Sequence, residues 1–481
     1  MQLFSFGGAH LGIPGAYSVV NIKNNTPYTP GALKVLAVIG SGLQGAPANP
    51  SKMYFNNPQL ASDQIGGTDA LLAAQIAWDH GADLICFSLT DVATQATYNL
   101  QSTDATPVTL ATYQGKRWNA NDNKLQVTTT VQAGGSQTVT ITDTSVSPSV
   151  VETYTVQNTA DGWTSHIKQV NNQSTLANAV AGPGGSTTNV AATVSSVAFT
   201  GGTRTAPTTT SIAAAIDALK TEDIQGIITP MTDTTSQDAI KAHCNTMSNV
   251  TNRRERRAFY GLDIGSASTD YVTAMQDVDG RGTLACPGIY RTVNGDNTLL
   301  SSAFHAAALA GLWAGRQNPN DPITFKLVKC NGLEEGIFAT NEDINTLVEA
   351  QVTVTQAVPK VGYRVVHALT GDTSGTNMVE LSVADLVDIM NRSMREQLEA
   401  FVVGKASYNG IVNDLQQKAQ SILEAYKKQN WIVDGTDAFG NPLPAYRNIV
   451  VTQQGTTYPV TYEMSPCEPV NYIPVTVNVN A

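Results

Sequence analysis

The chain has 481 residues, enough for two to four domains, and is 42% hydrophobic but only 14% charged. A formal net charge of −11 argues against a nucleic-acid or anionic-membrane surface, because both partners are polyanionic. No stretch reaches the apolar length of a membrane helix, and the opening MQLFSFGGAHLGIPG has no basic start of a secretory signal.

Residues 1 to about 20 are glycine-rich and apolar, without helical period. An apolar strand, Val35–Ile39, then leads into Gly40-Ser41-Gly42-Leu43-Gln44-Gly45, which matches the dinucleotide fingerprint G-x-G-x-x-G. That fingerprint works only where its third glycine opens a helix, whose free N–H groups hold the pyrophosphate. Here Gly45 is followed by Ala46-Pro47-Ala48-Asn49-Pro50, and two prolines three apart hold the chain extended. The acidic residue that a ribose would need at a second strand end is also missing. The run reads as a glycine-rich turn closing a buried strand.

Thr68 is placed to cap a helix carrying Leu71, Leu72, Gln75, Ile76 and Trp78, which His80-Gly81 ends before a second strand at Leu84–Leu89. This is a β-α-β unit of a layered α/β domain. From about Tyr98 to Pro207 the texture changes to Val/Ile alternating with Thr/Gln, broken by Gly-Gly, Asp-Thr and Ser-Pro. Period-2 alternation predicts antiparallel strands with one wet face, here an inserted β-rich module with one helical piece at Trp163–Asn171. Helical periodicity returns with SIAAAIDALKTED, followed by a strand at Ile224–Ile228 and a helix from Ser236 to about Val250. Further strands are predicted at 258–264 and 283–290, then a long helix in TLLSSAFHAAALAGLWAGR. Thr340 with Asp343 forms a capping-box variant. Two amphipathic helices, Val383–Val403 and Tyr408–Trp431, are split by Gly404, and the chain closes in strand-like sequence.

No catalytic, cofactor or metal constellation emerges. The six histidines lack H-x-x-x-H and H-E-x-x-H spacing, and His305, among Ala and Leu, reads as a packed core residue. DVDGRG from Asp277 lacks the later ligands of a calcium loop and reads as a turn. Five scattered cysteines, Cys86, Cys244, Cys286, Cys330 and Cys467, have no C-x-x-C pair and read as reduced, mostly buried thiols in a cytosolic setting. The basic cluster NRRERRAFYG from Asn252 reads as the solvated end of the preceding helix, with an internal partner-binding face as the other reading.

Taken in order, GIPGAYSVV, IGSGLQGAPANP, GGTDALLAAQIAWDHGADLICF, SIAAAIDALKTEDIQGIITP, LACPGIYR, AAALAGLWAGR, EDINTLVEAQVTVTQ, LVDIMNRSMREQLEAFVVGK and EPVNYIPVTVNV resemble the contractile phage tail sheath family, including phage-derived injection systems. The insertion carries no motif that matches. The resemblance implies an α/β (α+β) multidomain fold: an N-terminal arm at 1–20, an inner α/β domain built from 21–98 and 356–464, an inserted β-rich outer domain at 99–207, an α/β middle domain at 208–355, and a C-terminal strand arm at 465–481. It implies a non-enzymatic subunit of a virion tail, assembled in the host cytoplasm, without cofactors. Its partners would be copies of itself in a helical homopolymer of stacked hexameric rings, a tail tube protein, and baseplate and terminator proteins, with no direct nucleic acid and no membrane insertion.

Two sets of residues follow from the resemblance. Lys418, Lys427 and Lys428, on a helix whose Ile411, Leu415, Ile422 and Tyr426 share the other side, are expected to meet the tube. Ile13, Tyr17 and Val19 at one end, and Tyr472, Val475, Val477 and Val479 at the other, are expected to form strand arms shared between subunits. Deleting 467–481 is then expected to leave a folded monomer that cannot polymerise. The competing classes are a dinucleotide-binding enzyme with a β-rich insertion and a static surface-layer or adhesin-like protein.

Overall fold

The computed structural model describes residues 34–42, 52–65, 68–116, 120–132, 134–182, 190–293, 295–338, 340–374, 377–404, 406–436, 440–455 and 457–471, preceded by a short hairpin of Phe4–Phe6 with Ala9–Leu11. Its centre is one nine-stranded sheet. In chain order the strands are β1 (Leu36–Gly40), β2 (Lys52–Phe55), β3 (Ile85–Leu89), β4 (Gly226–Ile228), β5 (Arg257–Tyr260), β6 (Gly282–Cys286), β7 (Leu327–Val328), β8 (Thr353–Val358) and β9 (Gly362–Val365). Their spatial order is β7-β9-β8-β6-β5-β4-β1-β3-β2. The strands from β8 to β3 run parallel, and antiparallel strands close both edges.

Strands covered on both faces must be apolar throughout, and β1, β3 and β6 are buried at every position. Alternate residues face opposite ways. Leu36, Val38, Ile85, Phe87 and Phe259 meet helices α2 (Asp69–Asp79) and α7 (Ser302–Ala314). Ala37, Ile39, Cys86 and Tyr260 meet α4 (Thr209–Ala218), α5 (Thr234–Ser248), α6 (Ser268–Met275) and α8 (Asn341–Glu349). The helices α2 and α7 cross very closely: a Cβ on Gly311 would lie 2.3 Å from the Ala77 carbonyl oxygen. Thr68 caps α2 and Thr340 with Asp343 caps α8, as the sequence predicts.

The single sheet redraws the expected domain boundaries. β1, assigned with β3 to an inner domain at 21–98, pairs on its other side with β4, assigned to a separate middle domain at 208–355. The sheet itself, through β8 and β9, runs past residue 355. Parallel pairing between segments separated by an insertion leaves no local turn for sequence reading to detect. The short strand β2 and helix α1 (Pro58–Ile65) are additional elements that the sequence reading does not contain.

The insertion is β-rich, as expected. The strands Val150–Gln157, Ser136–Asp143, Leu125–Gln132 and Val197–Ala198 form one sheet, and Ala177–Ala181, Thr109–Gly115 and Thr97–Gln101 form another. Helix α3 (Ala160–Gln173) packs on their core through Trp163 and Val170. The module joins the centre through a short ladder, Val92–Thr94 with Thr203–Thr205.

After β9 come the long helices α9 (Leu381–Val402) and α10 (Ile411–Lys428), with Gly404 between them at φ 85°. A hairpin, Tyr446–Val451 with Val460–Met464, covers them. Leu386, Ile389, Met390 and Met394 of α9 pack on Ala419, Ile422, Leu423 and Tyr426 of α10 in a core of their own.

Candidate functional site

The fingerprint-like turn sits where a parallel sheet of this order would take a ligand, outside the strand ends between β1 and β4. The space there is filled by protein. A Cβ on Gly40 would lie 3.1 Å from Pro230 and 3.2 Å from Ala70, and one on Gly42 2.6 Å from Leu89. The Gly42 N–H donates to Asp91 Oδ2 at 2.6 Å, so a carboxylate already holds an amide that a phosphate would need. Gly45, the third glycine, lies outside the described residues. This geometry favours the turn over the dinucleotide site.

Functional charge gathers instead along α9. Asp385, Asp388, Arg392, Arg395 and Glu399 follow one another at spacings of three and four, which puts them on one stripe of the helix. The stripe lies across the N-terminal ends of four neighbouring parallel strands. Asp385 accepts from Lys34, just before β1, at 2.8 Å, and also pairs with Arg316 at the end of α7. Asp388 pairs with Arg257 of β5 at 2.6 Å and with Arg281, just before β6, at 2.5 Å. Arg392 holds Asp223, ahead of β4, in a two-pronged pair at 3.0 and 2.9 Å. Arg395 grips Glu255 at 2.8 and 3.1 Å, and Glu399 meets Arg253. Burial fades along the stripe, from Asp385 at 3% exposed to Glu399 on the surface.

The electrostatics follow from that burial. Burial pushes the Lys34 ammonium down to about 8, against the pull of Asp385. Burial alone would raise the Asp385 carboxyl, but Lys34, Arg316 and Arg257 overrule it and hold it below its usual range.

The basic cluster from Asn252 is therefore a solvated helix end only at its start, where Asn252 and Arg253 are exposed. Arg256 and Arg257 are buried: Arg256 donates to His243 Nε2 at 2.6 Å and to the Glu222 carbonyl, while Arg257 holds Asp388. Its partners come from distant chain segments, so no local pattern shows them. The 3-4-3-4 spacing of charges in LVDIMNRSMREQLEAFV is the signal that does. His305 is fully buried as expected, with Nδ1 on the Pro287 carbonyl and Nε2 on Thr355 Oγ1. Cys86, Cys244 and Cys286 are buried, and all five cysteines are free.

The three lysines of α10 do not share a face. Ile411, Leu415, Ile422 and Tyr426 are buried as expected. At about 100° per residue, Lys418 and Lys427 fall about half a turn apart, on opposite flanks of this buried stripe. Lys427 is engaged by both oxygens of Asp434 at 2.9 Å, and Lys428 is exposed, one helical turn from the exposed Glu424.

Two described segments far apart in the chain meet the start of α9. Lys34 is tied to Asp385, and Asn471 donates to Glu380 Oε1 at 2.6 Å beside His367. The C-terminal segment up to that point is stitched to its own fold: Cys467 N–H donates to the Trp431 carbonyl and Val433 N–H to that of Ser465. Ile13, Tyr17, Val19, Tyr472, Val475, Val477 and Val479 lie outside the described residues.

Residues 205–370, from the rim of the insertion to just past β9, match the model of the phage tail sheath protein central domain. This stretch is similar to a tail sheath central domain. The chain is 26% identical over 244 residues to the tail sheath protein of Bacillus phage SP01; the match takes in 49% of this chain but only 41% of that relative. Among solved structures, the sheath tail protein of Listeria innocua superposes with a TM-score of 0.63 at 14% identity, over 92% of this chain and 93% of its own. That of Desulfitobacterium hafniense gives 0.61 at 14%, over 94% and 100%. The contracted helical sheath of the anti-feeding prophage gives 0.54 at 12%, over 97% and 99%. The sheath fold thus extends over nearly the whole chain, insertion and terminal helices included. The resemblance read from the ordered motifs is borne out. Among the described residues, no helix is long and apolar enough to cross a membrane.

Proposed function

We propose that this chain is the non-catalytic subunit of a contractile tail sheath, placed in a virion or virion-like tail. It polymerises helically around a tail tube, in stacked hexameric rings that meet a baseplate and a terminator, and shortens to drive the tube through a cell envelope. The likeness of 205–370 to a sheath central domain carries this reading. A helical sleeve needs head-to-tail contacts that do not close on themselves. The terminal arms are suited to supply them as strands added to neighbouring subunits. Such pairing can persist while whole subunits rotate as rigid bodies.

The tube contact falls to the outward side of α10, centred on Lys428 with Lys418 at its flank. Exposed charge contacts are individually weak and screened by salt, which suits a grip that must let go. The extended sleeve is the metastable state, and contraction buries more surface between subunits. Helical reconstruction of polymers formed without tube protein tests this: the expected product is the contracted lattice. Extended tubes stable to mild denaturant would overturn it.

A further inference from the structure

The seam under α9 contains a small cavity of about 30 Å³, lined by Lys34, Arg257, Trp313, Asp385, Asp388 and Arg392, among others. A space of this size holds one or two water-sized particles. Two of its lining residues carry buried donors that find no acceptor among the described residues: Trp313 Nε1 and Arg257 Nε, on side chains 1% and 3% exposed. An unmet donor in such a place is costly, so it points to something that accepts. The cavity lining itself is balanced, Lys34, Arg257 and Arg392 against Glu255, Asp385 and Asp388, while Arg316 and Arg281 add two cations behind Asp385 and Asp388. Arg392 is shared by Asp223 and Glu396 and Arg395 pairs with Glu255, so these groups together carry one more cation than carboxylates. Lys34 Nζ also lies 4.4 Å from the centre of the Trp313 ring.

We propose that this cavity binds one small monoanion of the halide class, accepting from Trp313 Nε1 and Arg257 Nε within the cation-rich seam. A halide accepts without donating, fits the volume, and offsets the local excess of positive charge, which a water molecule does not. It would also relieve the pressure that burial puts on the Lys34 ammonium. The bound ion then serves as a clamp between α9 and the strand ends, so that the attachment of the C-terminal helices depends on the anion supplied.

Two measurements on the full chain test this. Melting in potassium chloride or bromide is compared with potassium gluconate at matched ionic strength, and bromide-soaked crystals are examined for anomalous scattering. The expected result is a melting temperature that rises with halide concentration above the gluconate series, as ligand linkage requires, and a bromide peak beside Trp313. In Trp313→Phe, which keeps a ring but removes the N–H, the halide-specific rise should vanish. Equal melting in chloride and gluconate by the unaltered chain, with no bromide peak, would overturn the proposal in favour of water. A halide peak elsewhere with none in the cavity would overturn it as well.

Discussion

Glu380 and Asp385 stand five residues apart at the start of α9, and they tie two distant segments to it: Glu380 accepts from Asn471, and Asp385 accepts from Lys34. At 1.5 Å per residue that is about 7 Å of helix. Both ties fall on the helix whose charged stripe joins the C-terminal pair to the sheet.

The seam should show a graded energetic profile. Asp388→Asn leaves Arg257 buried with its partner's charge removed, and loss of one member of a buried pair costs about 3–5 kcal/mol. Glu399→Gln breaks a pair at the exposed end of the same stripe, where the cost is below about 1 kcal/mol. Urea denaturation of the two variants should separate them clearly; equal losses would mean that the seam is not graded by burial.

Acid should weaken the fold before its carboxylates titrate. Burial holds His166, His243 and His305 down to about 4, with Arg256 adding to the effect on His243. Their unfolded value is about 6.5. The folded pKa lies below the unfolded one, so the unfolded chain takes up protons first as pH falls. Stability is therefore full above about pH 6.5, is lost progressively from there to about 4, and recovers nothing below it. Melting curves between pH 7 and 4 should show this slope, and His305→Gln should flatten it.

Helix propensity alone makes Gly311→Ala stabilising by up to about 1 kcal/mol. The crossing of α2 and α7 reverses that sign, because the added methyl would meet the Ala77 backbone oxygen at 2.3 Å. The variant should melt below the parent; melting above it would contradict the close crossing.

On α10, Lys428→Glu should weaken tube attachment while polysheath formation survives. Lys427→Glu instead faces Asp434 across a broken pair, so its effect should fall on local stability more than on the tube. Co-sedimentation with assembled tube at two salt concentrations distinguishes them, with the Lys428 effect shrinking as salt rises.

Much of this was legible because its causes are local. Thr68 and Thr340 announce their helices through bonds to residues three positions on, and the Val/Thr alternation of the insertion is a property of single strands. The apolar stripe of α10 was legible for the same reason. Its lysines were less so: counting them as a set overlooked the half-turn between 418 and 427. Arg256 and Arg257 were misread as solvated because an arginine run carries no mark of burial when its counter-charge lies over 100 residues away, at Asp388. The common sheet of β1 and β4 was hidden by the long insertion between them. Lys52–Phe55, only four residues with one buried side chain, is too short to give a period.

The central claim, a sheath subunit that polymerises through its terminal arms, is tested most directly by electron microscopy of the full chain beside one ending at Asn471. The cut belongs there and not at 467, because Cys467 and Asn471 bond within the subunit. The account predicts striated helical tubes from the full chain, and folded monomers with near-normal melting from the shortened one. Ordered tubes from the chain ending at Asn471, or none from the full chain at any concentration, would contradict it.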